Sequence, residues 1–188
     1  MACVPGVVAV QGDYEKHASA FGDLGFANVR RIREPADLYG VTHAVIPGGE
    51  STAVGLLMRR FGLDQALISA ARVGLALWGT CMGMIVMASH VEGREQPLLG
   101  ILDITVRRNA FGTQVHSFED YVEVKPLPDQ VAAVFIRAPI IVAMGSSVED
   151  ICQYQGHTVG VRQNRHLGTS FHPELTPERS MHEYFLSL

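Results

Sequence analysis

The sequence predicts an α/β protein, a single domain over residues 1–188 built on a mostly parallel open sheet with helices on both faces and added antiparallel strands. Three observations carry that expectation. Short apolar runs alternate with stretches of helical spacing through the first half of the chain, the pattern of a parallel sheet covered by helices. One of these runs ends in Gly79-Thr80-Cys81-Met82-Gly83 and is followed at once by a second apolar run of helical spacing, which reads as strand, tight turn and helix. The second half changes to short strands joined by Gly, Asn or Pro turns, the mark of antiparallel additions.

The elements follow in order. Residues 7–10 form an apolar strand that ends at the turn Gln11-Gly12, and Tyr14, Ala18, Phe21 and Leu24 place a helix over 13–24. Residues 28–32 read as a second strand, broken by Pro35, and 41–46 as a third, followed by the turn 47–52. Two helical pieces, 53–61 and 64–72, are separated near Gly62 and lead into the strand 75–78, the turn at Cys81 and a helix that runs through Met87. Further strands are expected at 101–106, 121–124, 131–136, 148–154, 158–162 and 167–171, with hairpin connections at Gln155-Gly156 and Asn164-Arg165. Thr176-Pro177 starts a last helix over 178–188. No internal repeat, low-complexity tract or linker interrupts this order.

Composition narrows the function classes. The formal net charge is -4, and no basic face with interleaved aromatics occurs, which argues against nucleic acid or an anionic membrane as the main partner. No run approaches the roughly 18 apolar residues of a membrane span, and the N-terminal residues carry no basic leader or cleavage pattern, so no secretion signal is expected. The three cysteines, Cys3, Cys81 and Cys152, are widely spaced with no CxxC, which speaks for a reducing cytoplasm over a disulfide framework or zinc knuckle. His17, His43, His90, His116, His157, His166 and His182 show no metal-ligand spacing and are read as structural or surface residues. Pro47-Gly48-Gly49-Glu50-Ser51-Thr52 is not a phosphate loop, because no Gly-Lys-Ser/Thr follows.

Chemistry gathers at the strand ends. Gly79 and Gly83 let the chain bend sharply and let helix and sheet approach closely, so Cys81 projects from the sheet edge as a nucleophile-elbow serine does. Backbone N–H groups just after the turn can face an oxyanion. Phe171-His172-Pro173-Glu174-Leu175 follows another strand and supplies an imidazole base with a carboxylate two residues on. Spacing alone does not bring Cys81 and His172 together.

These three strings resemble the signatures of class I (triad-type) glutamine amidotransferases. Within that superfamily the chain is similar to the glutaminase subunits of pyridoxal 5'-phosphate synthases. The likeness runs from Val7-Val8-Ala9-Val10-Gln11-Gly12 to the last helix and includes Arg108-Asn109-Ala110-Phe111-Gly112, Gln114-Val115, Ser117-Phe118-Glu119 and Phe135-Ile136-Arg137-Ala138-Pro139. The resemblance implies a Cys81-His172-Glu174 triad that hydrolyses L-glutamine to L-glutamate and ammonia through a cysteine thioester. It implies glutamine contacts at Gly49, Glu50, Ser51, Arg108, Ile136 and Arg137, with Gly49 and Met82 as oxyanion candidates. A guanidinium suits the α-carboxylate of glutamine and acceptor oxygens suit its α-ammonium.

The implied partner is the barrel-shaped synthase subunit, in a large heteromeric ring complex for vitamin B6 biosynthesis, with ammonia passing through an internal channel. Docking is expected to order the oxyanion loop around Gly48, Gly49 and Gln11. No cofactor and no metal is implied for this chain, since pyridoxal phosphate is the partner's product. Two departures from the family pattern stand out: Met82 where alanine is common, and Ile140 where many relatives have histidine. The alternatives are the glutaminase subunit of another amidotransferase, such as imidazole glycerol phosphate synthase, a cysteine hydrolase of esters or lactones, and a non-catalytic member of the fold that keeps only the thiol.

Overall fold

The computed structural model describes residues 2–109 and 117–188. The first half comprises β1 (Pro5–Val8), α1 (Tyr14–Asp23), β2 (Arg30–Ile32), β3 (His43–Ile46), α2 (Ser51–Phe61), α3 (Leu63–Arg72), β4 (Ala76–Thr80) and α4 (Met82–Met87). The rest adds β5 (Ala88–Val91), β6 (Leu102–Arg107), β7 (Ser117–Val122), β8 (Val131–Ile136), β9 (Ile140–Met144), β10 (Glu149–Tyr154), β11 (His157–Gln163), β12 (His166–Thr169) and α5 (Ser180–Leu186). Short 3-10 turns occupy Pro35–Leu38 and Pro173–Leu175.

One large sheet runs in the order β2-β1-β3-β4-β12-β11-β9-β6-β5, with β10 paired to β11 off that path. β2, β1, β3, β4 and β12 are all parallel, and antiparallel pairing begins at β11. β7 and β8 form a separate antiparallel ribbon. This is the expected α/β architecture, a mostly parallel sheet with antiparallel additions.

Alternation along each strand decides which face a residue serves. Val8, Ala44, Ile46 and Leu77 enter a core with Val54 and Met58 of α2, Leu63 and Leu67 of α3 and Met84 of α4. Their neighbours Val7, Val45, Ala76 and Trp78 enter a second core with Phe21 of α1, Phe185 of α5 and Val131, Ala133 and Phe135 of β8. Helices therefore cover both faces, as expected. The Gln155-Gly156 and Asn164-Arg165 connections are hairpin turns between β10, β11 and β12. Gln155, Gly156 and Asn164 adopt the positive φ that such turns demand.

Several boundaries move, for identifiable reasons. The first strand lies at Pro5–Val8 instead of 7–10, because its ladder to β2 ends at Val8 opposite Ile32 and the Ala9 N–H closes onto the Ile32 carbonyl at 2.8 Å. Residues 9–13 are thereby released toward the strand ends. β7 starts before the expected 121–124, its register with β8 running from Ser117 opposite Ile136 to Val122 opposite Val131. β5 and β9 were not expected from sequence. The backbone turns extended at Ala88 (φ -64°, ψ 158°) directly after α4, inside one unbroken apolar run. β9 follows Pro139 and buries only Ile140 and Ile141, so it has no two-residue alternation to read.

The close approach of α4 to β4 rests on Gly79, where an added Cβ would lie 2.5 Å from the Gly83 carbonyl carbon and the Met84 nitrogen. Gly79→Ala is expected to cost about 1–3 kcal/mol. Gly22→Ala, at a helical position with open space around the missing Cβ, is expected to gain about 0.5 kcal/mol. Urea unfolding midpoints that shift in opposite directions would bear this out, and equal midpoints would contradict it.

Candidate active site

Parallel strands place their carboxyl ends on one edge, where ligands of such sheets gather. β1, β3, β4 and β12 end there in loops carrying Gln11, Gly48-Gly49-Glu50, Cys81 and His172. Thr80 pairs with Thr169, and the Cys81 N–H donates to the Thr169 carbonyl at 2.7 Å. Cys81, one residue past β4, and His172, three residues past β12, thus leave adjacent strands at one edge although 91 positions separate them in the chain.

Cys81 holds φ 49° and ψ -111°, a backbone conformation that costs on the order of 1–3 kcal/mol for a residue with a Cβ. The hydrogen bond to Thr169 and the tight seat of α4 hold it there; at Gly83 a Cβ would run into the Ile46 carbonyl. Cys81 is 2% exposed, and its Sγ lies 3.7 Å from the Ile136 carbonyl oxygen, to which the thiol donates. Gly48 leaves the space between thiol and imidazole open, since a Cβ there would sit 2.5 Å from His172 Cε1 and 3.4 Å from Cys81 Cβ.

His172 follows β12, and its N–H donates to the Val134 carbonyl of β8 at 2.8 Å, which ties the loop to the ribbon. Its Nδ1 stands 2.7 Å from Oε1 of the buried Glu174. Burial alone would lower the His172 pKa, but hydrogen bonds to Cys81 and Glu174 and the charges of both raise it to about 10. Burial would raise Glu174, yet the adjacent His17 and the hydrogen bond and charge of His172 hold it at about 2. Once the Cys81 proton is on the imidazole, the pair is imidazolium and carboxylate.

A cleft of about 460 Å³ opens above these groups. Its lining includes Gly49, Glu50, Met82, Arg108, Ile136 and Arg137 together with Cys81, His172 and Glu174. Ser51 alone of the expected residues is off the lining; it is fully buried, with Oγ 3.3 Å from Gln96 Oε1. Glu50 caps α2 through Oε2, which accepts from the Ala53 N–H at 2.7 Å, while Oε1 lies 3.4 Å from Arg108 Nη2. Although partial burial opposes it, the Ala53 and Thr52 N–H groups and the Arg108 charge hold the Glu50 carboxyl below its usual range. Gln11 Oε1 accepts the Glu50 N–H at 2.9 Å and fills the space beside Gly49 that a Cβ would need. Ala110, Phe111, Gly112, Gln114, Val115 and His116 lie outside the described residues. A larger hollow of about 690 Å³, bounded by residues 123–130 and 150–153, contains no group of this cluster.

The SNO glutamine amidotransferase family model matches residues 7–188. The chain belongs to that family. Among its relatives, a protein of Niallia circulans named "Pyridoxal 5'-phosphate synthase subunit PdxT" is 45% identical over 185 residues, covering 97% of this chain and 96% of that one. A protein of the same name from Thermus thermophilus is 46% identical over 187 residues, covering 98% and 97%. A solved structure titled "Crystal structure of glutamine amidotransferase" superposes with a TM-score of 0.94 at 42% identity, over 98% of this chain and 97% of that one. Within the family frame, Met82 begins α4 and is 8% exposed, so its longer side chain is accommodated beside the nucleophile. Ile140 starts β9 and is buried in the second core, away from the cleft lining.

Two side chains near Glu174 were not singled out by sequence reasoning. His17 and His182 are fully buried, and His17 Nε2 is 3.3 Å from Glu174 Oε2. The available signal was position: His17 falls on the apolar face of α1 with Tyr14, Ala18 and Phe21, and His182 lies between Met181 and Tyr184 on α5.

Burial lowers both imidazoles, His182 to about 3. Unfolded histidines protonate near 6.5, so below that pH the unfolded chain binds more protons and stability falls with falling pH. Glu174 adds loss in the same direction as pH drops from 4.5 toward 2. The His172 contribution is complete below pH 6.5 and is lost as pH rises through 10. Melting temperatures are therefore expected to fall on both sides of neutrality, and His182→Phe to flatten the decline between pH 6.5 and 4. An unchanged slope would contradict the buried neutral state.

Proposed function

We propose that this chain, as one domain over residues 1–188, is the glutaminase subunit of a pyridoxal 5'-phosphate synthase and that Cys81, His172 and Glu174 are its triad. The observation that carries the reading is the convergence of a strained elbow cysteine with a carboxylate-held imidazole 2.7 Å from its partner at one sheet edge. Family membership and relatives about 45% identical over nearly the whole chain support the substrate and the pathway.

Cys81 Sγ attacks the side-chain amide carbon of L-glutamine. The tetrahedral oxyanion rests on the backbone N–H groups of Met82 and Gly49, each such donor being worth about 10²–10³ in rate. His172 takes the thiol proton as Cys81 attacks and gives it to the departing amide nitrogen, which leaves as ammonia. The glutamyl thioester is then hydrolysed by water with the imidazole as base, and glutamate leaves. Glu174 holds the imidazole and stabilises its charge.

Arg108 faces the α-carboxylate of glutamine, with Arg137 beside it at the cleft rim. Glu50 and the Ile136 carbonyl accept from the α-ammonium. Ser51, whose hydroxyl is committed to Gln96, contributes through its backbone at the start of α2. Ammonia is protonated and lost in bulk water, so the reaction is useful when the chain is docked on the synthase subunit in a ring complex. The Gln11–Glu50 hydrogen bond that pins the Gly48-Gly49 turn is the contact that docking acts on. No helix among the described residues is long and apolar enough to cross a membrane.

Glutamate release should rise when the synthase subunit is added to the chain and fall by about 10⁴ or more in Cys81→Ala. A rate indifferent to the synthase would contradict the docking step. A Cys81→Ala variant as active as the parent would contradict the nucleophile.

A further inference from the structure

Behind the triad lies a chain of buried polar groups that glutamine hydrolysis by Cys81, His172 and Glu174 does not use. Glu174 directs Oε1 at His172, while its Oε2 is buried without a well-aligned hydrogen bond. The imidazole of His17, on α1, faces that oxygen: Nε2 is 3.3 Å from Oε2 and 3.1 Å from the Thr80 hydroxyl. On its other side His17 Nδ1 is 3.0 Å from Nε2 of His182, on α5. Trp78 and Phe21 pack edge-on against these rings, Trp78 at 5.8 Å from His17 and Phe21 at 5.2 Å from His182.

Two buried imidazoles are costly where aromatic or aliphatic side chains would fill the same space. Their protonation follows from their partners. A carboxylate only accepts, so His17 Nε2 must carry the proton, and its bare Nδ1 then accepts the Nε2–H of His182. His182 Nδ1 is left as a bare acceptor, and it is the ring nitrogen that has no hydrogen-bond partner. This assignment places the Nε2–H between the Thr80 hydroxyl and Glu174 Oε2. The charged and titratable groups around it are Glu174, His172 and Asp13 about His17, and Glu174 and Arg179 about His182.

We propose that His17, with its tautomer fixed by His182, is a positioning residue of the triad: its Nε2–H, held at the Thr80 hydroxyl, faces Oε2 of Glu174 at 3.3 Å and by that contact keeps Oε1 on His172 and the imidazole turned to Cys81. The inference rests on the triad assigned above. Helix α1 thereby reaches the catalytic carboxylate, and the link through His182 extends that support to the C-terminal helix α5.

The test compares His17→Leu, which removes the donor, with His17→Gln, whose amide nitrogen reaches a similar point. Each is assayed in complex with the synthase subunit for kcat, KM and the pH profile of glutamate release. Alkylation of Cys81 by iodoacetamide, read by mass spectrometry against pH, is followed on the same variants. His17→Leu is expected to lower kcat about 10–100-fold, the usual effect of removing an orienting partner, with KM unchanged. Its basic limb should move to lower pH, because the imidazolium loses a correctly held counter-charge. His17→Gln is expected to restore most of the rate and the limb.

An unaltered profile in His17→Leu would overturn the proposal. So would equal losses in both variants with the limb unmoved, which would mark a packing role. Should His17→Leu fail to fold, the comparison runs on His182→Phe, which keeps a ring against Trp78 and frees the His17 tautomer; a limb that stays in place there would overturn the proposal equally. The alkylation profile needs no substrate, so a parent chain inactive on glutamine would contradict the proposed substrate while leaving the positioning role to be decided by the Cys81 limb.

Discussion

The parallel pairing of β4 with β12 is the constraint on which the site depends. Gly79 lies opposite Gly168 and Thr80 opposite Thr169, so the next residues on each strand leave the sheet side by side. β4 arrives there from the first half of the chain and β12 from its end, after the antiparallel additions. A slip of one residue in this register would turn Trp78 and Leu77 to opposite faces and exchange the two cores. Both cores resist that exchange, because Leu77 packs with α2, α3 and α4 and Trp78 with α1 and α5. Hydrophobic burial thus fixes the register, and the register fixes the chemistry.

The electrostatics of the site follow from its depth. The Glu174 side chain is 1% exposed and that of His172 13%, so neither charge is tolerable without the other. Leaving one of a buried pair unpaired costs about 3–5 kcal/mol, which makes the His172–Glu174 contact structural as well as functional. Depth also acts on a second thiol. Burial, with Asp150 nearby, pushes the Cys152 thiol up to about 12, so it stays protonated and inert. Cys81 is equally buried by area, and Gly48 leaves open the space between it and His172.

Much of this was legible in the sequence. Apolar runs ending in glycine-rich turns located β3, β4 and the elbow, because a strand buried on both faces is apolar throughout and must stop where the chain turns. The hairpins at Gln155-Gly156 and Asn164-Arg165 were legible from turn chemistry. β5 was hidden in an apolar run that passes from helix to strand at Ala88 without punctuation, and β9 in five residues with no alternation. The placement of His172 beside Cys81 depends on non-local strand order, which no local pattern encodes; it entered through resemblance of motifs. The contacts of His17 and His182 are not legible, because a histidine on an apolar helix face carries no local mark of what it meets across the core.

The most direct test of Cys81 as the nucleophile is covalent capture. The chain, with and without the synthase subunit, is incubated with a glutamine analogue that carries an electrophilic carbon in place of the amide, and the adduct is located by peptide mass spectrometry. One adduct per chain on Cys81, blocked by excess L-glutamine and lost in His172→Asn, is the expected result. Labelling spread over Cys3 and Cys152, or an adduct on Cys81 that L-glutamine does not protect, would contradict the site described above.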